Sequence, residues 1–259
     1  MSSNEGAVHL EVAGGIASVT FDRPEARNAM TWAMYQRLRA ICEQLRDDHS
    51  VRAVRFQGAG GEAFVAGTDI SQFVGFDGQR GVEYELQIDH TMQLLAGLPM
   101  PTVAVVQGWC IGGGLAIAST CDFRIATPAA KFGVPIARTL GNCLSIANVA
   151  GLVAAFGRPR VQRLLLLADV IGAEEGASCG YVTEVVAAEG IEAVAQKLCG
   201  RLASLAPVTQ QVSKEALARL LRHDLPETED LIRRTYGSED FREGVEAFVA
   251  KRPPVWKGR

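Results

Sequence analysis

The sequence has no run approaching the roughly 18 consecutive apolar residues of a membrane-spanning helix. It has no excess of positive charge either: 26 Lys and Arg stand against 29 Asp and Glu, a formal net charge of −3. A nucleic-acid binder normally needs a basic field, and the only local one lies in the tail, residues 251–259. There is no CxxC pair and no cluster of histidines with cysteines, so a structural metal is not expected. The six cysteines, at 42, 110, 121, 143, 179 and 199, lie far apart, and several sit in apolar runs, which speaks against a disulfide framework. Residues 1–14 are polar and mixed and lack the apolar core of a signal peptide. From these absences we expect a cytoplasmic protein with reduced thiols and with no metal, nucleic-acid or membrane partner.

What is present is ample core material. Of 259 residues, 48% are hydrophobic and 21% charged, which excludes global disorder and fits one large domain or two small ones. Residues 9–12 and 16–21, joined at Ala13-Gly14-Gly15, read as a β-hairpin. From Thr31, a good N-cap residue, Leu38, Ile41, Cys42 and Leu45 recur at helical spacing. Residues 51–56 alternate as a strand that ends in the glycines at 58, 60 and 61. A second cycle follows, with helical periodicity over 80–97, an apolar strand over 102–107 and a small-residue helix opening at Gly112-Gly113-Gly114. Another strand is expected at 123–125. Beyond residue 144 the pattern is mostly helical, interrupted by a strand at 182–186. Strand–helix alternation followed by helices predicts an α/β fold with a C-terminal helical segment, divided at 195/196.

Three short motifs invite functional readings that their context resists. Gly58-Ala-Gly60-Gly-Glu-Ala63 has dinucleotide-fingerprint spacing after a strand, but no helical period follows it. Gly176-Ala-Ser178-Cys-Gly180 matches a nucleophile elbow, yet a helix-like start precedes it and a strand follows, the reverse of the order such an elbow requires. His90 falls on a stripe Val82–Leu86–His90–Leu94, where a helix-face histidine and an acid/base are both open readings.

Two glycine-bearing turns carry more. Residues 64–70 leave the strand of residues 51–56, and residues 107–114 leave the strand of residues 102–107. Small residues at strand ends let main-chain N–H groups approach a ligand closely, and the second turn also opens a helix whose first N–H groups are unpaired. Two such groups converging on one oxygen make an oxyanion hole.

The ordered set Phe21-Asp-Arg-Pro24, Asn28-Ala-Met30, Ala63 to Ile70, Gly112-Gly-Gly114, Cys121 to Ala126, Phe132-Gly133, Gly180 to Val186 and Phe248 to Arg252 resembles the crotonase family of enoyl-CoA hydratases and isomerases over nearly the whole chain. The resemblance implies a spiral of ββα units as an acyl-CoA-binding core (1–195), with a C-terminal helical segment (196–259) that assembles trimers or hexamers. It implies a substrate that brings its own coenzyme A, with no further cofactor. It places oxyanion N–H groups at Ala66 and Gly113. It lays the CoA thioester along Arg23, Arg27, Asn28, Ala66, Thr68, Asp69, Ile70 and Gly112, with Ile136 and Arg138 toward the acyl group. Phe248 and Lys251 would reach the CoA of a neighbouring subunit.

Hydratases of this family use two glutamates, and here Ala116 and Ile136 stand at those positions, while Leu144 stands where some isomerases carry an acid. None of these side chains transfers a proton. Glu83, Glu85, Asp69 and His90 are open candidates for that work. Cys143 reads either as a buried thiol or as an acid/base or nucleophile. Arg138 reads as a fork for a substrate carboxylate or as a partner of a glutamate. Three functions stay open: an acyl-CoA lyase or isomerase with a displaced acid/base, a thioester hydrolase or decarboxylase, and an acyl-CoA-binding protein with little catalysis.

Overall fold

A computed structural model describes residues 5–259. The hairpin forms as expected, with β1 (Ala7–Ala13) antiparallel to β2 (Ile16–Asp22). Helix α1 (Trp32–Arg46) starts at Thr31, whose hydroxyl accepts the Met34 N–H and so satisfies one orphan donor of the first turn. The chain then runs three times through strand, strand, helix. The first pass is β3 (Ala53–Gly58), β4 (Ala63–Val65) and α2 (Gly78–Ala96). The second is β5 (Thr102–Val106), β6 (Trp109–Ile111) and α3 (Gly113–Thr120). The third is β7 (Phe123–Ala126), β8 (Lys131–Gly133) and the short α4 (Ile136–Thr139). There follow α5 (Ile146–Phe156), α6 (Arg158–Leu166), β9 (Val170–Gly172), α7 (Ala173–Ser178) and β10 (Glu184–Val185). Four helices end the chain: α8 (Ile191–Ala203), α9 (Pro207–Arg222), α10 (Glu229–Tyr236) and α11 (Glu239–Val249).

In each pass the first strand joins one sheet and the second joins another. The result is a six-stranded sheet, β1-β2-β3-β5-β7-β10, and a four-stranded sheet, β4-β6-β8-β9. All neighbours from β2 to β10 in the larger sheet are parallel, as are β4, β6 and β8 in the smaller one. Parallel neighbours need long crossovers, and the second strand with its helix supplies them. This is the spiral of ββα units that the motifs imply. A strand covered on both faces has no polar side, and all of β5 is buried.

Phe21, Phe56 and Phe64 lock β2, β3 and β4 together, with the Phe21 ring edge-on to Phe64 at 5.5 Å. Fully burying one such ring contributes about 1.5–3 kcal/mol. The boundary expected at 195/196 falls inside α8. Ile191, Ala195, Cys199 and Leu202 of that helix are buried against Ala53, Val103, Val105 and Ile125, so the core continues to about the end of α8. Gly176 lies within α7, and Gly180 closes the turn after it at φ +79°, so the serine-elbow motif is a helix end. Among the described residues no helix is long and apolar enough to cross a membrane.

Gly114 has no room for a side chain, because a Cβ there would overlap the carbonyl oxygen of Val65 at the end of β4. Gly200, by contrast, is exposed on α8 with open space around it. Gly114→Ala is therefore expected to lose about 1–3 kcal/mol through overpacking. Gly200→Ala should gain up to about 1 kcal/mol of helix propensity. Thermal unfolding of the two variants side by side checks both signs.

Candidate active site

β4 and β6 are parallel neighbours, with Val65 in register with Cys110. Their C-terminal ends therefore deliver two turns side by side, residues 66–70 and residues 112–114. This end of parallel strands is where open α/β sheets bind ligands. The turns meet main chain to main chain: a Cβ on Gly112 would lie 3.7 Å from the Gly67 Cα, and one on Gly67 3.7 Å from the Ile111 carbonyl oxygen. Gly67 (φ +104°) and Gly112 (φ +53°) both adopt backbone angles that favour glycine.

Accounting for the N–H groups corrects one expected donor. Ala66 donates its N–H to the carbonyl of Arg27 at 3.0 Å, so that proton is committed to the fold. Met30 then stitches the turn from both sides, its N–H donating to the Gly67 carbonyl at 2.8 Å and its carbonyl accepting the Asp69 N–H at 2.9 Å. Thr68 lies between these bonds, and its own N–H finds no acceptor among the described residues. The N–H of Gly113, the first residue of α3, finds none either, and it carries the partial positive charge of a helix start.

Hydroxyls surround this pair. The Thr68 Oγ1 lies 2.9 Å from the Tyr35 Oη and 3.0 Å from the Tyr84 Oη. The Tyr35 hydroxyl also occupies the space a Cβ on Gly113 would need. Burial pushes Tyr35 up to about 12 and raises Tyr84 as well, so both stay neutral hydroxyls.

A cavity of about 420 Å³ opens beside Gly112. Its lining includes Ala116 and Val134, Met92 and Asp89 of α2, Leu144 and Leu152, and Leu217 and Leu221 of α9. Ala116 and Leu144, two positions where the resemblance implies an acid, both line this cavity. Ile136 is half-buried against the main core and does not line it. Asp89 is the residue that sequence reasoning missed. Its Oδ1 accepts from the Ser145 Oγ at 2.6 Å and from the Asn148 Nδ2 at 3.2 Å. The available signal was the polar spacing Glu85–Asp89–Gln93, one helical turn apart each time.

Several expected site residues do other work. His90 is exposed beside Leu86, itself 61% exposed, because α2 turns Glu85, Ile88 and Met92 inward instead of the stripe through 86 and 90. Burial pushes the Cys143 thiol up to about 11, with nearby Glu85 adding to the effect, so it is no thiolate nucleophile. Asn28 is fully buried and its amide is spent within the fold: its Oδ1 accepts from the Arg23 N–H, and its Nδ2 donates to the carbonyls of Ala59 and Ala63. Arg23 pairs with Asp69 at 2.8 Å. Burial raises the Asp69 carboxyl, but hydrogen bonds from Ser71 and Arg23 outweigh it and hold the group below its usual range, which makes it an ionised anchor. Arg27 is exposed, Ile70 is half-buried beside the turn, and Glu83 is exposed and bonded to Gln79. Arg138 is exposed on α4 and lines no part of the cavity. Phe248, 52% exposed, and Lys251 face outward at the end of α11, while Arg252 of the basic tail folds back onto Glu243.

The sequence matches the family model described as Enoyl-CoA hydratase/isomerase over residues 11–259. It is 31% identical to the (E)-benzylidenesuccinyl-CoA hydratase of Thauera aromatica, across 97% of this chain and 99% of that one. It is 30% identical to the short-chain-enoyl-CoA hydratase of Clostridium acetobutylicum, across 95% of each. Among solved structures, an enoyl-CoA hydratase/carnithine racemase from Magnetospirillum magneticum aligns with a TM-score of 0.79 at 31% identity, over 97% of this chain and 96% of that one. A methylmalonyl-CoA decarboxylase in complex with 2-nitronate-propionyl-CoA aligns with a TM-score of 0.89 at 23% identity, over 97% and 98%, a likeness of fold alone.

One buried acid behind the cavity has a measurable signature. Glu85 accepts from the Tyr236 hydroxyl at 2.6 Å and from the Ser145 N–H at 3.0 Å. Burial still dominates and raises its carboxyl from 4.5 to about 8. A raised folded-state value means that the native protein binds the extra proton. The associated stability is complete below pH 4.5 and is lost as the pH climbs through about 8. Glu85→Gln, which keeps the shape without the titration, should show a melting temperature that falls less than that of the wild type across this window. Calorimetric scans at matched ionic strength check it.

Proposed function

Because the chain belongs to the enoyl-CoA hydratase/isomerase family, we propose that it transforms acyl-CoA thioesters through a thioester enolate, whose oxygen is held by the N–H groups of Thr68 and Gly113. The observation that carries this reading is the pair of N–H groups, on two adjacent turns, that have no acceptor among the described residues. Loss of the proton next to a thioester carbonyl moves an electron pair onto the carbonyl oxygen. Preorganised donors stabilise that charge without rearranging, and removing one such donor costs about 2.7–4 kcal/mol where it has been tested.

The acyl group extends into the cavity beside Ala116, Leu144 and Leu152, which suits an apolar chain longer than crotonyl. The absence of a glutamate at Ala116 argues against two-carboxylate hydration and for isomerase- or lyase-type chemistry with one displaced acid/base. Arg138 lies outside this chamber, which favours an apolar acyl group over one bearing a carboxylate. The CoA portion runs along the outer side of the turn that Arg23 and Asp69 order, near exposed Arg27 and Ile70. The outward apolar side chains of α9, among them Val208, Val212 and Leu220, support assembly into homotrimers or hexamers, with Phe248 and Lys251 turned toward a neighbour's CoA. Six free cysteines suit a reducing cytoplasm.

The direct test incubates the full-length protein with crotonyl-CoA and with 2- and 3-enoyl-CoA esters of hexenoyl and decenoyl chains, following the conjugated thioester absorbance and free thiol. We expect absorbance changes without thiol release, faster for the longer chains. Thiol release would instead make the protein a hydrolase, and binding without turnover would remove the catalytic reading.

Gly113→Ala reports on the oxyanion site once its steric side effect is separated. The new methyl collides with the Tyr35 hydroxyl, so the single variant should lose both turnover and stability. In a Tyr35→Phe background the collision is relieved, and the added methyl should regain melting temperature while still depressing kcat/KM, because the thioester must approach this backbone closely. Turnover unaffected by the methyl in that background would count against Gly113.

A further inference from the structure

We infer that Asp89 is the acid/base of this site, a single carboxylate that carries one proton between two carbons of an apolar acyl chain. The inference rests on the enolate reading above, and it assigns the step that the missing glutamates leave open.

Three observations on different elements support it. Asp89 lines the same cavity as Gly112 and Ala116, so a carboxylate from α2 shares the chamber with the backbone turn and with the position where a hydratase would carry its glutamate. Its direction is set from the facing helix. Ser145, the N-cap of α5, accepts the Asn148 N–H at 3.2 Å and the Asn148 Nδ2 at 3.0 Å, which commits its own hydroxyl proton to Asp89 at 2.6 Å. Asp122 and Lys214 also line the cavity, and they bond to each other. Asp122 accepts from the Lys214 Nζ at 2.6 Å and from both the N–H and the hydroxyl of Thr102, while Lys214 also donates to the Met100 carbonyl. Gln93, Ser119 and Thr120, also on the wall, do not ionise at ordinary pH.

The step balances without a co-reactant. The Asp89 carboxylate takes the proton on the carbon next to the thioester of a 3-enoyl-CoA. The C–H electron pair moves toward the carbonyl, giving a dienolate whose oxygen lies between the Thr68 and Gly113 N–H groups. The carboxylic acid then returns the proton to the far carbon of the former double bond, which moves that bond into conjugation. Hydration would need a second group to activate water, whereas this 1,3-transfer needs one carboxylate within reach of both carbons.

The test reads proton transfer apart from turnover of any natural substrate. Full-length protein is incubated in D₂O with hexanoyl-CoA and with decanoyl-CoA, and deuterium uptake next to the thioester is followed by NMR alongside calorimetric Kd values. We expect wild-type exchange to fall about 10²–10⁴-fold in Asp89→Asn, with Kd changed less than threefold. Asp89→Ala serves if the asparagine variant does not fold, as judged by thermal melting. Exchange that persists in the folded variant overturns Asp89 while leaving the enolate reading intact. Loss of exchange matched by loss of binding makes Asp89 a group that seats the chain and overturns its acid/base role. No exchange by the wild type overturns both readings together.

Discussion

Everything at this site depends on a main-chain contact between two turns. Parallel pairing of β4 with β6 sets residues 66–70 against residues 112–114, main chain beside main chain. The requirement is geometric before it is chemical. Gly114 must let the start of α3 rest on the Val65 carbonyl, and Gly67 and Gly112 must take backbone angles that other residues adopt at a cost. Once those conditions hold, the N–H groups of Thr68 and Gly113 lie at the strand ends without acceptors among the described residues. The phenylalanine cluster behind β4 and the stitch through Met30 keep the first turn from relaxing to satisfy its own donors.

Around this fixed backbone, the polar side chains come from other elements. Tyr35 rises from α1, Tyr84 and Asp89 from α2, and Ser145 with Asn148 from α5. They form two polar groups with apolar surface around them, one at Thr68 and one at Asp89. A scaffold that supplies charge stabilisation through its backbone leaves its side chains free to vary the proton chemistry. Ala116, the second residue after the glycine run, lines the cavity with a methyl group.

The longer elements were legible in the sequence because their periodicity reports burial. The hairpin, α1 with its Thr31 cap, the buried strand β5 and the helical C-terminal part all follow from patterning. The strands β4, β6 and β8 have only three residues each, too few to show alternation, and the resemblance alone implied them. On α2 the stripe through His90 was read about one residue out of phase, because Leu86 looks like core and Glu85 does not. The true inner face buries Glu85 at 3% exposure, secured by Tyr236 from 151 residues later, and no local pattern contains that partner. That the Ala66 N–H is already bonded has a related cause. The motif shows where the turn is, but which N–H is spent depends on Arg27 and Met30, whose pairing with the turn is tertiary.

The cavity is lined by residues of α2, α3, α5 and α9. Its first walls are translated long before its last, so on the ribosome the chamber exists only as an open trough until residues 214–225 have emerged. The contacts that close it join segments about a hundred residues apart, such as Lys214 with Asp122 and Met100. Loop-closure entropy opposes contacts of that span, and they form after the local ones. Binding competence is thus a late event in the life of each chain. A nascent or C-terminally clipped molecule would still present the glycine turns, but with the apolar side chains of the cavity wall facing water.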